Sequence, residues 1–203
     1  AIALNCENNR DERSCYLLVE NRKVENYVDM ALYYARMDAV YKDYMIAESN
    51  LQEVAQQVLL QNKYYLIQSH VKAEVACPDT VYSDKKWIAF ILNQLIQNSV
   101  KYGRSEGTHI QIVTKKTKRG VLLRVKDDGI GIPKEEIPRI FEKGFTGTNG
   151  RNRERSTGMG LYLCRKLCDK LNIEIRAESA EGKGTEIILM FPVSDYLTGY
   201  RET

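Results

Sequence analysis

Across 203 residues and 23.4 kDa the chain carries 30 Lys/Arg against 27 Asp/Glu, with 13 Gly, 4 Pro and 43% hydrophobic residues. That composition excludes a collagen-like, disordered or disulfide-stapled protein, and no apolar run approaches the roughly eighteen residues of a membrane span. A net charge of +3 is too small to indicate a nucleic-acid binder, and five cysteines without a CxxC pair argue against a disulfide framework or a zinc site.

The charge is divided unevenly. Residues 1–60 hold 6 Lys/Arg against 10 Asp/Glu, and the remainder holds 24 against 17. The acidic opening segment begins AIALN, without Met, which suggests a piece excised from something longer, with a processed terminus as the alternative. From 11 to 44 there is neither Gly nor Pro, and Leu17, Val24, Val28, Ala31 and Ala35 form one stripe at helical spacing, with Tyr27, Tyr34 and Tyr41 beside it. So long a helix needs a partner for that face, and the spacing predicts a bundle or dimer helix in preference to one packed on its own domain.

A short strand over 44–47 comes next, then a helix opened by a capping box, Asn50 with Glu53, and running to about residue 63. Strands are predicted over 71–76 and 80–83, and a helix over 84–102. An antiparallel pair follows at 109–114 and 121–126 around KTKRG. A turn-rich stretch over 127–157 leads into a helix over 158–171, and a hairpin over 173–178 and 185–192 turns at EGKG. Helices alternating with antiparallel pairs predict a two-layer α/β sandwich, with helices on one face of a mixed sheet.

Four short blocks lie in this frame: QLIQNSVKY (94–102), DDGIGIP (127–133), TGMGL (157–161) and GKGT (182–185). Asp127 ends a strand, where a carboxylate can accept from an adenine amino group and repel a guanine carbonyl; Gly129 and Gly131 would let the backbone pass close to a flat ring. Gln94, Asn98 and Lys101 fall near one helical face. An Asn oxygen suits a Mg²⁺ otherwise held by phosphates and water, and a Lys can reach a phosphate. The stretch over 146–157 is poor in apolar residues and carries Arg151, Arg153 and Arg155. It reads as a lid closing on Thr157-Gly158-Met159-Gly160, where a helix N-terminus would offer amides to a polyphosphate. Cys164 and Cys168, four apart on that helix, read as buried structural thiols.

Together the four blocks resemble the N box, the two glycine boxes and the terminal G-x-G-T of the ATPase superfamily that joins histidine kinases, gyrase-type topoisomerases, mismatch-repair ATPases and a heat-shock chaperone. IPRIFEKGF (137–145) resembles the F box of sensor histidine kinases, and NSVKY (98–102) their N box. The segments over 24–44 and 81–103 are similar to the second dimerisation helix and ATP domain of the bacitracin-sensing, intramembrane-sensing group. The resemblance implies a remnant of a dimerisation domain over 1–44 and an ATP-binding catalytic domain over 45–203. It implies Asn98 as Mg²⁺ ligand, Lys101 on a phosphate, Tyr102 beside the adenine, Asp127 as adenine reader with Gly129 and Gly131 beneath the base, and Gly158, Gly160 and Leu161 near the phosphates. Thr185 would stand behind Asp127, and Phe141 and Phe145 would anchor the lid without touching the nucleotide.

Two departures shape the expected chemistry. Hydrolytic members of the superfamily carry a glutamate four residues before the metal-binding Asn. Here Gln94 stands there, and an amide cannot take a proton from water. Nor does either histidine, His70 or His109, lie in the H-E/Q-x-K-T-P motif of a phosphoacceptor helix. The expected activity is therefore transfer of the ATP γ-phosphate to a histidine that this chain lacks, for relay to a response regulator. The expected setting is a homodimeric bacterial membrane protein, of which this is a cytoplasmic portion joined to the membrane only through upstream segments. The alternatives are an anti-sigma-factor-type serine kinase and a nucleotide-sensing module.

Overall fold

The computed structural model describes residues 12–36, 45–148 and 157–193. Helix α1 spans Glu12–Arg36. Strand β1 (Ala47–Asn50), helices α2 (Leu51–Gln61) and α3 (Lys63–Gln68), strands β2 (Val71–Ala76) and β3 (Thr80–Ser83), and helix α4 (Lys85–Lys101) follow. Then come β4 (Thr108–Thr117), β5 (Gly120–Asp127), a 3₁₀ turn at Ile137–Arg139, α5 (Gly160–Lys170), β6 (Glu174–Ser179) and β7 (Thr185–Pro192).

The helix start at Asn50 obeys its sequence signal, and Asp84 caps the next long helix in the same way. Asn50 accepts the Glu53 N–H at 3.1 Å, and Asp84 accepts those of Lys86 and Trp87 at the head of α4, so donors left over in each first turn are satisfied. The first strand sits later than expected, at 47–50 and not 44–47, and residue 44 lies outside the described residues. The predicted helix to residue 63 ends at Gln61, and after Asn62 a second helix, α3, begins at Lys63.

A five-stranded sheet in the order β2-β4-β5-β7-β6 is joined by a two-stranded ribbon, β1-β3. β2 pairs with β4 in parallel and β3 pairs with β1, so the adjacent strands 71–76 and 80–83 do not pair with each other. Ile110, Ile112, Leu123, Val125, Ile187 and Leu189 alternate onto one face of the sheet. They meet Val54, Val58, Ile88, Ile91, Leu95, Leu163 and Leu167 from α2, α4 and α5 in the core. Cys164 and Cys168 are buried there as free thiols, and burial pushes Cys168 up to about 12.

Helix α1 departs from the expectation that it stands off its own domain. Tyr33 is buried, with its ring 4.7 Å from Trp87 and 5.5 Å from Phe90, and Met30 packs against the same core. Lys143 donates to the Tyr34 hydroxyl, and its ammonium lies 4.7 Å from that ring's centroid. Aromatic area outweighs the thinner aliphatic stripe for this contact. Leu17, Val24 and Val28 of the stripe stay about half exposed.

Candidate functional site

Asp127 closes β5, and the antiparallel register that sets Lys126 opposite Glu186 brings the start of β7 alongside it. Its Oδ1 accepts the N–H groups of Gly129 (3.0 Å) and Thr185 (3.1 Å), and its Oδ2 accepts the Ser99 hydroxyl at 2.8 Å. Three of the sequence blocks therefore meet on one carboxylate. The Thr185 side chain turns away to Ser179 Oγ at 3.1 Å, so its tie to Asp127 runs through the backbone. Ser179 also accepts the Ile132 N–H and donates to the Gly184 carbonyl, joining the glycine turn to the β6–β7 hairpin.

In front of Asp127 lies a cavity of about 230 Å³. Gln94, Asn98, Lys101 and Tyr102 line it from α4 and its C-terminal residue. Asp127, Gly131, Thr157, Gly158, Gly160, Leu161 and Thr185 close the other sides. Gly129 stands just behind this wall, where a Cβ would come 2.6 Å from the Tyr102 carbonyl, so the glycine permits the close approach of the Asp127 turn to the end of α4. Phe145 lines the cavity, with the Arg139 guanidinium 4.6 Å from its ring, whereas Phe141 stacks under Arg165. Arg151, Arg153 and Arg155 lie outside the described residues. The base of their segment is tied by the Gly144 N–H to the Gly158 carbonyl at 3.1 Å.

Gln94 is buried against Gly160, where a Cβ would come within 2.8 Å of its Oε1. Neither histidine reaches the cavity. His70 sits in a turn at φ 52°, and His109, on β4, pairs with Glu74 at 3.2 Å.

The sequence patterns assign no place at this site to Ser99, Ser179, Asn62, Tyr65, Met30 or Tyr27, the last of which marks only the flank of the α1 stripe. Ser99 had a signal, a small polar residue on the buried face of α4 beside Asn98. Tyr27 and Met30 had none, because they reach the cavity only through the docking of α1.

Burial pushes the Asp127 carboxyl above its ordinary value of 3.8, against the pull of its three hydrogen bonds. A raised value in the folded state means that the native protein holds this proton more tightly than the unfolded chain. Its contribution to stability is thus present at low pH and is lost as pH rises from about 4 through the folded-state value. Urea melts from pH 3.5 to 7 should show wild type losing stability relative to Asp127→Asn across that window; parallel curves would contradict this.

The ATPase-family resemblance implies Mg²⁺. Among the described residues no three His, Cys, Asp or Glu come together as a charged cage. The cavity is lined by the amide side chains of Gln94, Gln97, Asn98 and Asn62 and by the carboxylates of Asp127 and Glu136, residue types that fit a hard cation arriving with phosphates.

Residues 83–195 match the model of the histidine kinase-, DNA gyrase B- and HSP90-like ATPases. The chain belongs to this ATPase family. Curated relatives are sensor histidine kinases. YxdK of Bacillus subtilis (strain 168) is 34% identical over 85% of this chain and 54% of its own length. GraS of Staphylococcus aureus (strain JH1) is 36% identical over 91% and 53%. The chain thus spans about half the length of these relatives. Among solved structures, the catalytic domain of histidine kinase ThkA superposes with a TM-score of 0.63 at 26% identity, covering 73% of this chain and 97% of that one. ThkA has also been solved in complex with the response regulator protein TrrA. Membership in the ATPase family carries ATP binding with it, and the mixed α/β sandwich is the fold these relatives share.

Proposed function

We propose that this chain is the ATP-binding catalytic portion of a bacterial sensor histidine kinase, transferring the γ-phosphoryl group of ATP to a histidine outside this sequence. The observation that carries the proposal is the Asp127 carboxylate, held on three hydrogen bonds behind a cavity whose other wall presents Asn98 and Lys101. Asp127 has acceptor capacity left on Oδ2 for an adenine amino group, Tyr102 flanks the ring, and Lys101 places a positive charge toward the phosphates. Bound Mg²⁺, with Asn98 as its protein ligand, would neutralise charge on the β- and γ-phosphates. Gly158, Gly160 and Leu161, at the head of α5, would supply backbone N–H groups to the phosphates, and Arg151, Arg153 and Arg155 would close over them.

Catalysis on this reading is positioning and charge stabilisation, with no covalent step on the chain. Gln94 stands where a general base would be needed for water, which disfavours hydrolysis and leaves transfer to a neutral imidazole as the productive route. The exposed Leu17, Val24 and Val28 stripe supports a dimerisation role for α1, with residues 1–44 as part of that domain. The response regulator would be the final acceptor, and the sensing and membrane parts would belong to the remainder of the parent protein. Among the described residues no helix is long and apolar enough to cross a membrane.

Incubating the chain with γ-labelled ATP should give no acid-labile label. Adding a separate phosphoacceptor helical domain from a related kinase should place the label on that domain. Label on the isolated chain, or none on the added domain with ATP bound, would overturn the kinase reading.

A further inference from the structure

Glu136 leads into the 3₁₀ turn that follows the glycine block, and it lines the cavity in front of Asp127. Its carboxylate reaches across to a stretch of chain twelve residues further on. Glu136 Oε1 accepts both the Thr148 N–H, at 2.8 Å, and the Thr148 hydroxyl, at 2.6 Å. Bonds of this kind to a carboxylate are about twice as strong as those between neutral groups. Among the described residues no other hydrogen bond holds Thr148.

Gly147 is shaped to the same carboxylate. It is buried, it lines the cavity, and a Cβ on it would stand 2.6 Å from Glu136 Oε2. Its φ of +58° adds a second reason for glycine there. Phe145 and Thr146 line the cavity beside it, and the Gly144 bond to the Gly158 carbonyl joins this wall to the head of α5. A bare carboxylate at that end of the cavity would repel a polyphosphate. Here both lone pairs of Oε1 are occupied by Thr148, so protein donors take up the charge.

Resting on the ATP-site reading above, we propose that Glu136 is a positioning residue for the nucleotide, holding the wall of Phe145, Thr146 and Gly147 at the phosphate end of the cavity through its two bonds to Thr148. It makes no direct contact with metal or phosphate.

The test uses the full chain with Mg²⁺ and a fluorescent ATP analogue in stopped flow, which separates the release rate from the fraction of protein that binds. Glu136→Ala should release the analogue about tenfold faster, because interface losses appear mainly in dissociation. Glu136→Gln keeps an Oε1 able to accept from both Thr148 groups, so release should return to within about twofold of wild type. Thr148→Val loses only the hydroxyl. It should speed release about threefold alone and add nothing in the Glu136→Ala background, since both changes break one link. Release as fast from Glu136→Gln as from Glu136→Ala would mean that the charge acts on the cation itself, and would overturn the proposal. So would additive effects of Glu136→Ala and Thr148→Val. A Glu136→Ala protein that binds in a smaller fraction but releases at the wild-type rate would overturn it too, as the sign of partial unfolding alone. Absence of binding by wild type would instead remove the nucleotide reading, and this inference with it.

Discussion

Asp127→Asn is expected to weaken ATP binding about 10- to 100-fold, about 1.4–3 kcal/mol, and to erode the preference for ATP over GTP. The geometry gives the variant little other choice. Two backbone N–H groups converge on Oδ1, so the amide must keep its oxygen there. Its NH₂ then occupies the Oδ2 position, where it can still donate to the Ser99 hydroxyl but now points donor against donor at an adenine amino group. Guanine presents a carbonyl oxygen at the same place and would meet a donor. The ligand-free fold should survive, because every internal partner of Asp127 keeps a complement and a buried charge is removed. Titration calorimetry with ATP and GTP decides the matter: equal affinities in wild type and variant would remove Asp127 from base recognition.

What could be read from the sequence divides along physical lines. Asn50 announces its helix because a cap acts within three residues. The strands at 71–76, 80–83 and 185–192 were placed to the residue because alternation and turn residues act locally as well. Alternation reports which face a side chain takes, not which strand lies beside it. The parallel β2–β4 pairing and the separate β1–β3 ribbon therefore could not be seen.

The same limit governs the site. Asp127 was legible from its block, but its partner Ser99 lies 28 residues away and its partner Thr185 lies 58 away. Only the sheet and α4 bring them together. For α1, spacing picked out the aliphatic stripe, whereas the docking contact follows aromatic area at Tyr33, whose receptors Trp87 and Phe90 stand on another helix. Asn62 was illegible for a further reason. A polar residue ending a helix is ordinary in sequence, and Asn62 comes to line the cavity only once α2, α3 and α4 have packed.

Gly131→Ala is expected to be among the most damaging single methyl groups in the site. Gly131 holds φ at +70°, where an L side chain costs about 1–2 kcal/mol, and an added Cβ would stand 2.0 Å from the Ala180 carbonyl oxygen. Backbone must move, and the neighbouring bonds have nowhere to yield. Ile130 N–H reaches the Tyr102 carbonyl at 3.0 Å, the Ile130 carbonyl accepts Gly182 N–H at 2.7 Å, and Ile132 N–H reaches Ser179 Oγ at 2.9 Å. These bonds hold the glycine turn against both α4 and the β6–β7 hairpin, so displacing the turn also displaces Thr185 from Asp127. A loss of about 3 kcal/mol or more is expected, with Tm falling by about 6–12 °C for a chain of this size. Gly182→Ala separates the causes. Gly182 has nearly the same φ, +74°, with nothing within 4 Å of its added Cβ, so it should pay the conformational cost alone, about 1–2 kcal/mol. Thermal melts of the two variants test the account, since equal losses would mean that the contact at Ala180 carries no weight.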